Sequence, residues 1–337
     1  MRILGIETSC DETAVAVLEV KNGVFKVVKD VISSSSQLQA KYGGIVPEVA
    51  ARKQVEYMIP VLEKVLGKKG KQIDYIALTN GPGLITSLRV GVEAGKTLSY
   101  AWEKPMVAVN HLEGHIYSAE MSNSRKLGKL KFPALALIVS GGHTQLVLLE
   151  SYLKYKIIGE TQDDAVGEAF DKVAKMMNLG YPGGPVISKL AKKGNASKVE
   201  MPRPMINSGD YNFSFSGIKT AVLYKMREGR IKNQDMCASF QEACVEVLVN
   251  KTIKAAQEFK VKTILLGGGV AANENLRDSL KKEVGSKLDK VKLLVPDMKM
   301  TGDNAAMIAA AGYYKIKNKK FSDWKKIKTN ANLRLGE

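Results

Sequence analysis

Two stretches of the sequence share one pattern and decide the fold. The first, RILGIETSCDETAVAVLEV (residues 2–20), predicts an apolar strand, a turn rich in hydroxyls and carboxylates, and a returning strand. The second, LALIVSGGHTQLVLLE (residues 135–150), repeats this pattern with the polar turn SGGHT. Two such hairpins about half a chain apart indicate a duplicated architecture. Because hairpins are common, the pattern indicates the duplication without proving it.

Strands and helices alternate along the rest of the chain, which is typical of the α/β class. Apolar periodicity predicts helices over residues 47–66, 85–100, 110–121 and 233–260, and strands over residues 73–79, 106–109, 262–266 and 291–295. A polar cap at residues 301–304 precedes a helix of small residues. No stretch has the composition of a flexible linker. At 337 residues we therefore expect two domains joined by structured crossovers, with a cleft between them.

Composition excludes several classes of protein. With 45% hydrophobic and 25% charged residues, the chain is neither disordered nor collagen-like, and three cysteines do not make a disulfide scaffold. The longest apolar run, residues 132–139, is far short of the roughly 20 residues that span a bilayer. The N-terminus lacks a signal-peptide pattern. A small, odd number of cysteines is typical of proteins in a reducing compartment, so we expect a cytoplasmic protein that does not bind membranes.

The chain carries a large positive charge. The 51 Lys and Arg residues exceed the 34 Asp and Glu residues by 17, which gives +17 at neutral pH. Such an excess suits a polyanion such as nucleic acid, but a Lys-rich surface without that partner explains the charge equally well. The densest stretch is KIKNKKFSDWKKIK (residues 315–328), which a solvent-exposed helix would also explain.

All three histidines lie between residues 111 and 143. His111 and His115 are four residues apart in a predicted helix, so both rings lie on one face, and this spacing favours a divalent metal site. A zinc protease would carry the signature H-E-x-x-H. In HLEGH the acid, Glu113, is two residues after His111 and so about 200° around the helix. The geometry argues against a peptidase.

Gly-rich turns supply candidate phosphate sites. The run GGGVAAN (residues 267–273) follows a strand and precedes a helix, so its N–H groups can face a phosphate or an adenosine. Gly267, Gly269 and Ala272 also satisfy G-x-G-x-x-A, and Asp297 follows the next strand, so a dinucleotide fold stays open on this weak motif. The sequence contains no G-x-x-x-x-G-K-[ST], which argues against a P-loop NTPase.

The loop after the first strand is rich in carboxylates. Glu7, Asp11 and Glu12 could position a metal-bound phosphate or exchange a proton. For Asp11 we favour a functional role, because adjacent acids repel each other. Thr8 and Ser9 suit turn hydrogen bonds. Elsewhere, Asp303 precedes a helix, where capping is an equally good explanation. The three cysteines, Cys10, Cys237 and Cys244, suit packing better than nucleophilic catalysis.

Taken together, eleven motifs resemble one family. They occur in this order over nearly the whole chain: GIETSCDET, PEVAAR, NGPGL, NHLEGH, LIVSGGHTQL, DDAVGEAFDK, YPGGP, FSFSGIKT, CASFQEA, GGGVAAN and GDNAAM. The pattern resembles the bacterial TsaD proteins, a universal family of tRNA threonylcarbamoyltransferases once labelled glycoprotein endopeptidases. The resemblance implies an actin-like, hsp70-like (ASKHA) ATPase fold with two lobes around a nucleotide cleft. It places residues 1–107 and 305–337 in the N-terminal lobe, and residues 108–304 in the C-terminal lobe.

The resemblance also implies the reaction, which is an acyl transfer. Threonylcarbamoyl-adenylate donates its threonylcarbamoyl group to N6 of adenosine 37 in tRNAs that read codons beginning with A, and AMP leaves. The implied metal ligands are His111, His115 and Asp303, with Fe²⁺ as first choice and Zn²⁺ as second. The residues matching adenylate contacts are Ile138, Val139, Ser140, Gly141, Gly142, Asp171, Gly184 and Asn273. The residues implied in catalysis are Asp11, Glu12 and His143. The archaeal and eukaryotic branch has a Tyr ligand where this chain has Ile138, so that ligand is absent.

The partners implied by the resemblance are tRNA, a TsaB-like paralogue that docks on the N-terminal lobe, and a TsaE-like ATPase. Two other functions stay open. A small-metabolite kinase of the same superfamily would use similar hairpins but has no need of a His pair. A non-catalytic subunit of a tRNA-modifying complex would have lost the three metal ligands, which this chain keeps.

Overall fold

The computed structural model describes residues 1–67, 72–121, 130–229 and 231–336. None of the helices in these ranges is long and apolar enough to cross a membrane.

Contacts within the chain define two compact units, Met1–Leu130 with Pro296–Glu337, and Lys131–Val295. The boundaries of these units lie after residues 130 and 295, whereas the resemblance implies lobe boundaries after residues 107 and 304. The implied lobe boundaries stay a prediction. The difference matters for the site, because His111, His115 and Asp303 all belong to the first unit.

The described part of the first unit contains a mixed sheet and five helices. The strands are β1 (Arg2–Glu7), β2 (Glu12–Lys21), β3 (Val24–Ser34), β4 (Tyr75–Gly81) and β5 (Met106–Asn110). The helices are α1 (Ser36–Tyr42), α2 (Pro47–Leu66), α3 (Ile85–Trp102), α4 (His111–Met121) and α10 (Ala305–Lys317). The strand order is β3-β2-β1-β4-β5. β1, β2 and β3 form an antiparallel meander, and β4 and β5 continue the sheet parallel to β1.

The described part of the second unit has the same topology. Its strands are β6 (Ala134–Val139), β7 (Thr144–Ser151), β8 (Lys154–Glu160), β9 (Thr263–Gly267) and β10 (Lys292–Leu294). Its helices are α5 (Val166–Met176), α6 (Gly183–Ala191), α7 (Ser216–Glu228), α8 (Asn233–Glu258) and α9 (Glu274–Lys287). The strand order β10-β9-β6-β7-β8 again joins an antiparallel meander to two parallel strands. The predicted duplication is confirmed. The dinucleotide-fold alternative is wrong, because a Rossmann sheet has no such meander.

Alternation of large and small residues places different helices on the two faces of the first sheet. Val15 and Val17 of β2 pack with α2, while Ala14 and Ala16, which alternate with them, pack with the start of α10. Gly5 of β1 makes the closest approach, since a Cβ there would lie 2.1 Å from the carbonyl oxygen of Ala305. Small residues on this face therefore let α10 lie directly on the sheet, which fixes the position of the loop before it.

The sequence pattern did not predict the third strand of either meander. β3 (VFKVVKDVISS) and β8 (KYKIIGE) are edge strands with many exposed or half-buried positions, so they carry several lysines and little apolar periodicity. The suggested helix over residues 315–328 is also wrong beyond Lys317, where α10 ends.

Candidate metal and catalytic site

The histidine helix α4 begins with a capping box. The Asn110 side-chain oxygen accepts a hydrogen bond from the Leu112 N–H at 2.9 Å, and the Glu113 carboxylate accepts one from the Asn110 N–H at 3.2 Å. Glu113 also pairs with Lys315, whose Nζ lies 2.9 Å from its carboxylate. Glu113 is thus occupied at the helix start, which confirms the sequence argument that it does not face a metal as a peptidase base would.

The two histidines and Asp303 converge on one point. The Asp303 Oδ1 lies 3.5 Å from the His111 Nε2 and 3.2 Å from the His115 Nε2. The three potential ligand atoms all lie within 4.8 Å of one another. The His115 ring is fully buried, and within the described part of the chain neither ring nitrogen makes a hydrogen bond. A buried polar atom without a hydrogen bond is costly, and two imidazoles with one carboxylate are a familiar ligand set for zinc or iron, so these residues fit a divalent metal.

Asp303 reaches the histidines because another residue caps the helix that follows. The side chain of Asn304 accepts the hydrogen bond from the Met307 N–H at 2.9 Å, so Asn304 is the N-cap of α10. The capping alternative for Asp303 is therefore wrong. The close packing of α10 on Gly5 brings Asp303 to the end of the sheet at which β1 and β5 finish.

Glu7, the last residue of β1, holds His111 from the opposite side. Its buried carboxylate lies 3.0 Å from the His111 Nδ1 and accepts hydrogen bonds from the Thr79 hydroxyl and the Ser9 N–H. The Ser9 hydroxyl also lies 3.1 Å from the His111 Nδ1. A carboxylate on the second nitrogen fixes an imidazole so that its first nitrogen can bind a metal. The sequence analysis counted Glu7 only among the loop acids and assigned Ser9 to the turn.

Negative charge is concentrated around this pair of rings. Burial alone would lower the pKa of His111, but the Asp303 and Glu7 carboxylates raise the pKa to about 9. Burial and the charges of Asp303, Asp11 and Glu7 raise the pKa of Glu12 well above its usual range. Burial and the nearby carboxylates likewise raise the pKa of the Cys10 thiol, so this cysteine is a poor nucleophile. Such a cluster attracts a cation.

Gln54 of α2 holds the loop that carries Asp11 and Glu12. Its fully buried side-chain amide donates hydrogen bonds to the carbonyl oxygens of Cys10, at 3.0 Å, and Glu12, at 2.8 Å. Two amide hydrogens can satisfy two such carbonyls at once. The only signal in the sequence is a polar residue on the apolar face of α2, between Ala50 and Met58.

The C-terminal tail braces the start of α4 and the turn NGPG. The Asn110 side-chain nitrogen donates hydrogen bonds to the carbonyl oxygens of Leu333, at 3.3 Å, and Arg334, at 3.1 Å. The Asn330 N–H donates to the Asn80 carbonyl oxygen at 2.8 Å. A Cβ at Gly81, whose φ is +156°, would lie 1.9 Å from the Asn330 carbonyl oxygen, so the turn needs glycine.

In the second unit, the hairpin turn and the Gly-rich turn meet at the ends of two parallel strands. The Ser140 and His143 backbones close the first turn with a 2.8 Å hydrogen bond, and Gly141 and Gly142 at its tip are exposed. Ile138 pairs with Gly267 in the sheet, and Gly268 packs directly on the Val139 backbone. The structure thus brings residues 138–143 next to residues 267–273.

Two further predicted site residues border α6. The Asp171 Oδ1 accepts a hydrogen bond from the Gly183 N–H at 2.7 Å, at the N-terminus of that helix. Burial raises the pKa of Asp171, although the N–H groups of Gly183 and Gly184 oppose this. Asn273 caps α9 through the Leu276 N–H and donates to the Ser188 hydroxyl of α6 at 3.0 Å. Asp171 and Asn273 therefore both contact α6, and Asn273 is also the last residue of the Gly-rich turn in the second unit.

Two of the motifs quoted above, DDAVGEAFDK and FSFSGIKT, are held together by hydrogen bonds and ion pairs within the second unit. Asp163 accepts hydrogen bonds from the hydroxyls of Ser214 and Ser216 and from the Phe215 N–H. Asp164 forms ion pairs with Lys172 and with Lys219 of α7. Asp163 and Asp164, the first two residues of DDAVGEAFDK, therefore anchor the segment FSFSGIKT.

Comparison with known proteins identifies the family. The profile "TsaD: tRNA N6-adenosine threonylcarbamoyltransferase" matches residues 26–310. The chain belongs to the TsaD family. Proteins named tRNA N6-adenosine threonylcarbamoyltransferase from Syntrophomonas wolfei and Bacillus subtilis are 46% and 48% identical to it. These matches cover 95% and 93% of this chain, and 94% and 90% of the relatives. The protein of that name from Thermosipho africanus is 46% identical over 99% of this chain and 100% of its own length.

Solved structures show the same fold at low sequence identity. T. kodakarensis HypF is similar with a TM-score of 0.60 at 16% identity, over 94% of this TsaD-family chain and 48% of HypF. The Acidaminococcus fermentans (R)-2-hydroxyglutaryl-CoA dehydratase component A gives a TM-score of 0.56 at 16% identity, over 94% and 99% of the two chains. The Clostridium difficile activator of 2-hydroxyisocaproyl-CoA dehydratase, with bound ADPNP, gives 0.53 at 13% identity, over 96% and 99%. The predicted ASKHA fold is confirmed.

The capping box makes a prediction about Asn110. Asn110→Ala removes both the cap of α4 and the donors to the tail. Loss of an N-cap costs about 1 kcal/mol of helix stability, which corresponds to about a fivefold acceleration of amide hydrogen exchange at Leu112. Asn110→Asp keeps the cap oxygen but loses the donors, so exchange should rise in residues 330–334 and stay slow at Leu112. Equal acceleration at Leu112 in both variants would contradict the assignment.

Proposed function

We propose that the chain transfers the threonylcarbamoyl group of threonylcarbamoyl-adenylate to N6 of adenosine 37 in tRNAs that read codons beginning with A. The observation that carries this proposal is the family match over residues 26–310 of a chain that keeps His111, His115 and Asp303 at one buried point. The reaction forms a bond between N6 and the carbamoyl carbon. It breaks the bond from that carbon to the phosphate oxygen, and AMP leaves with the electron pair.

The same proposal gives the chain one divalent metal ion, Fe²⁺ as first choice and Zn²⁺ as second, held by His111, His115 and Asp303. When bound, such an ion supplies Lewis acidity to the carbonyl oxygen of the threonylcarbamoyl group. The protein supports this site in three ways. Glu7 orients the His111 ring, the capping box fixes the start of α4, and the packing of α10 fixes Asp303.

For the adenylate end of the donor, we propose the predicted residues of the second unit. These are Ile138, Val139, Ser140, Gly141, Gly142, Asp171, Gly184 and Asn273. Two observations support this proposal. The exposed Gly141 and Gly142 leave open space in which backbone N–H groups can approach a phosphate or a developing oxyanion. The Asp171 carboxylate is held at one oxygen by the Gly183 N–H, and a carboxylate has further lone pairs that can accept hydrogen bonds from ribose hydroxyls.

A base must accept the proton that N6 loses. We propose Asp11 or His143 for this role, with Glu12 also contributing to activity. The Asp11 backbone is fixed by the Ser35 N–H and hydroxyl, each 3.1 Å from its carbonyl oxygen, and by the neighbouring Gln54 contacts. A fixed backbone of this kind orients a carboxylate and so reduces the entropy cost of the transfer.

We also propose a cytoplasmic location and two protein partners, a TsaB-like paralogue that docks on the N-terminal lobe and a TsaE-like ATPase. Val55 and Ile59 support a docking site on the first unit. Both lie on the outer face of α2 with 63% and 61% of their surface exposed, one helical turn apart. The small-metabolite kinase and the non-catalytic subunit gain no support from the relatives, which are all named transferases in the comparisons above.

The direct test combines the purified chain with threonylcarbamoyl-adenylate, a metal ion and an unmodified tRNA that reads an A-starting codon, with and without the two partners. Nucleoside analysis should find threonylcarbamoyladenosine at position 37, and AMP should form in equal amount. A tRNA that reads another codon class should give none. Absence of the product with every partner present would contradict the proposal. ATP-dependent phosphorylation of a small metabolite without tRNA would favour the kinase.

Single-turnover rates with saturating adenylate separate the two candidate bases. The variant that removes the base, Asp11→Asn or His143→Gln, should lose about a hundredfold or more in rate, the usual contribution of a general base. Cys10→Ala, next to Asp11 in the same loop, is the matched control and should stay near the wild-type rate. If both candidate variants also keep that rate, neither residue accepts the proton.

A further inference from the structure

Among the residues that the structure describes, the C-terminal part of the first unit carries a dense positive charge that the proposed chemistry does not use. We define the C-terminal basic segment as residues 317–328. It carries six lysines and one aspartate, so it holds a net +5 of the total +17 in 12 of 337 residues. All six lysines are exposed: Lys317, Lys319, Lys320, Lys325, Lys326 and Lys328.

The C-terminal basic segment has a defined conformation on the first unit. It follows α10 and runs beside β5, which is an edge strand of the first sheet like β3. The Ser322 N–H donates a hydrogen bond to the Met106 carbonyl oxygen at 2.9 Å, and the Ser322 hydroxyl accepts one from the Ala108 N–H at 3.0 Å. The backbone is therefore fixed before any ligand arrives, which lowers the entropy cost of binding.

Aromatic rings attach the same segment and also reach the surface. Phe321 stacks on Tyr75 with ring centroids 6.0 Å apart, and Trp324 packs on Tyr100 at 5.1 Å. Phe321 keeps 47% of its surface exposed, and Tyr100 keeps 66%. Exposed rings among lysines are the usual means by which proteins bind nucleic acid without reading its sequence, through stacking and phosphate attraction. The rings thus attach the segment, and the exposed parts of Phe321 and Tyr100 are also available for stacking on bases.

The strand to which the segment is attached leads to the metal-site helix. β5 runs from Met106, where Ser322 is bound, to Asn110, which caps the helix of His111 and His115. The four residue steps from Met106 to Asn110 span about 13 Å at roughly 3.3 Å per residue. A nucleic acid with its target base at the histidines can therefore place backbone phosphates over the lysines of the same unit.

We propose that the C-terminal basic segment binds the phosphate backbone of the substrate tRNA and positions the tRNA on the first unit. This inference rests on the proposed function for the identity of the nucleic acid. The lysines act as point charges on phosphates, so they supply affinity and orientation without sequence specificity. Selection of the modified adenosine then belongs to the site and not to this surface.

The test compares two fourfold Lys→Gln variants with the same loss of charge. The first changes Lys319, Lys320, Lys325 and Lys326 in the segment. The matched control changes four exposed lysines of the second unit, Lys281, Lys282, Lys287 and Lys290. Binding of one unmodified tRNA is measured by fluorescence anisotropy between about 50 and 200 mM salt. Turnover then gives kcat and the KM values for tRNA and for threonylcarbamoyl-adenylate.

The segment variant should bind tRNA about tenfold or more weakly, and the slope of log affinity against log salt should fall by about 2 to 4. Its kcat at saturating tRNA and its KM for the adenylate should not change. The control variant should stay within about twofold of wild type, and a Lys→Arg version of the segment variant should restore binding. Restored binding excludes misfolding as the cause.

Three outcomes would overturn the inference. They are equal weakening of tRNA binding in the two Lys→Gln variants, unchanged tRNA binding by the segment variant, and failure of the Lys→Arg version to restore tRNA binding. A wild-type chain that forms no product from tRNA would instead contradict the proposed function. The two failures are therefore distinguishable.

Discussion

The buried contact between the Glu7 carboxylate and the His111 ring is the interaction on which the candidate site depends. A buried carboxylate is stable only when hydrogen bonds replace its water, and Glu7 has Thr79, Ser9 and His111 as partners. Asp303 approaches the other nitrogen of the same ring. The ring is therefore held between two negative charges, an arrangement that favours either a proton or a metal ion on its inner nitrogen.

The rest of the first unit serves to keep this arrangement fixed. Gly5 lets α10 lie against β1, and this contact determines where Asp303 stands. Asn110 begins the histidine helix and joins it to the C-terminal tail. Glu113, which resembles a catalytic base in the string HLEGH, completes the helix cap instead. The positions of the three candidate metal ligands are thus determined mostly by the packing of α10 on the sheet and by the hydrogen bonds that cap α4.

Local patterns in the sequence predict much of the fold but little of the site's support. The helix Pro47–Leu66 is predicted to the residue, because a proline starts it and apolar periodicity continues through it. The His pair is predicted by its spacing. Glu7 and His111 are 104 residues apart, and no periodicity reports a contact over that distance. The contacts of Gln54 are equally hard to predict, because a single polar residue on an apolar helix face does not indicate which groups it binds. The edge strands β3 and β8 lack the apolar alternation that identifies a strand.

The central claim is that His111, His115 and Asp303 form one metal site. The most direct measurement is anomalous X-ray diffraction from crystals of the whole chain loaded with Fe²⁺ or Zn²⁺. We predict one peak between the three side chains, about 2.0 to 2.2 Å from both Nε2 atoms and from an Asp303 oxygen. Glu7 should remain on the His111 Nδ1. A strong peak elsewhere, with no density between these side chains at saturating metal, would contradict the account.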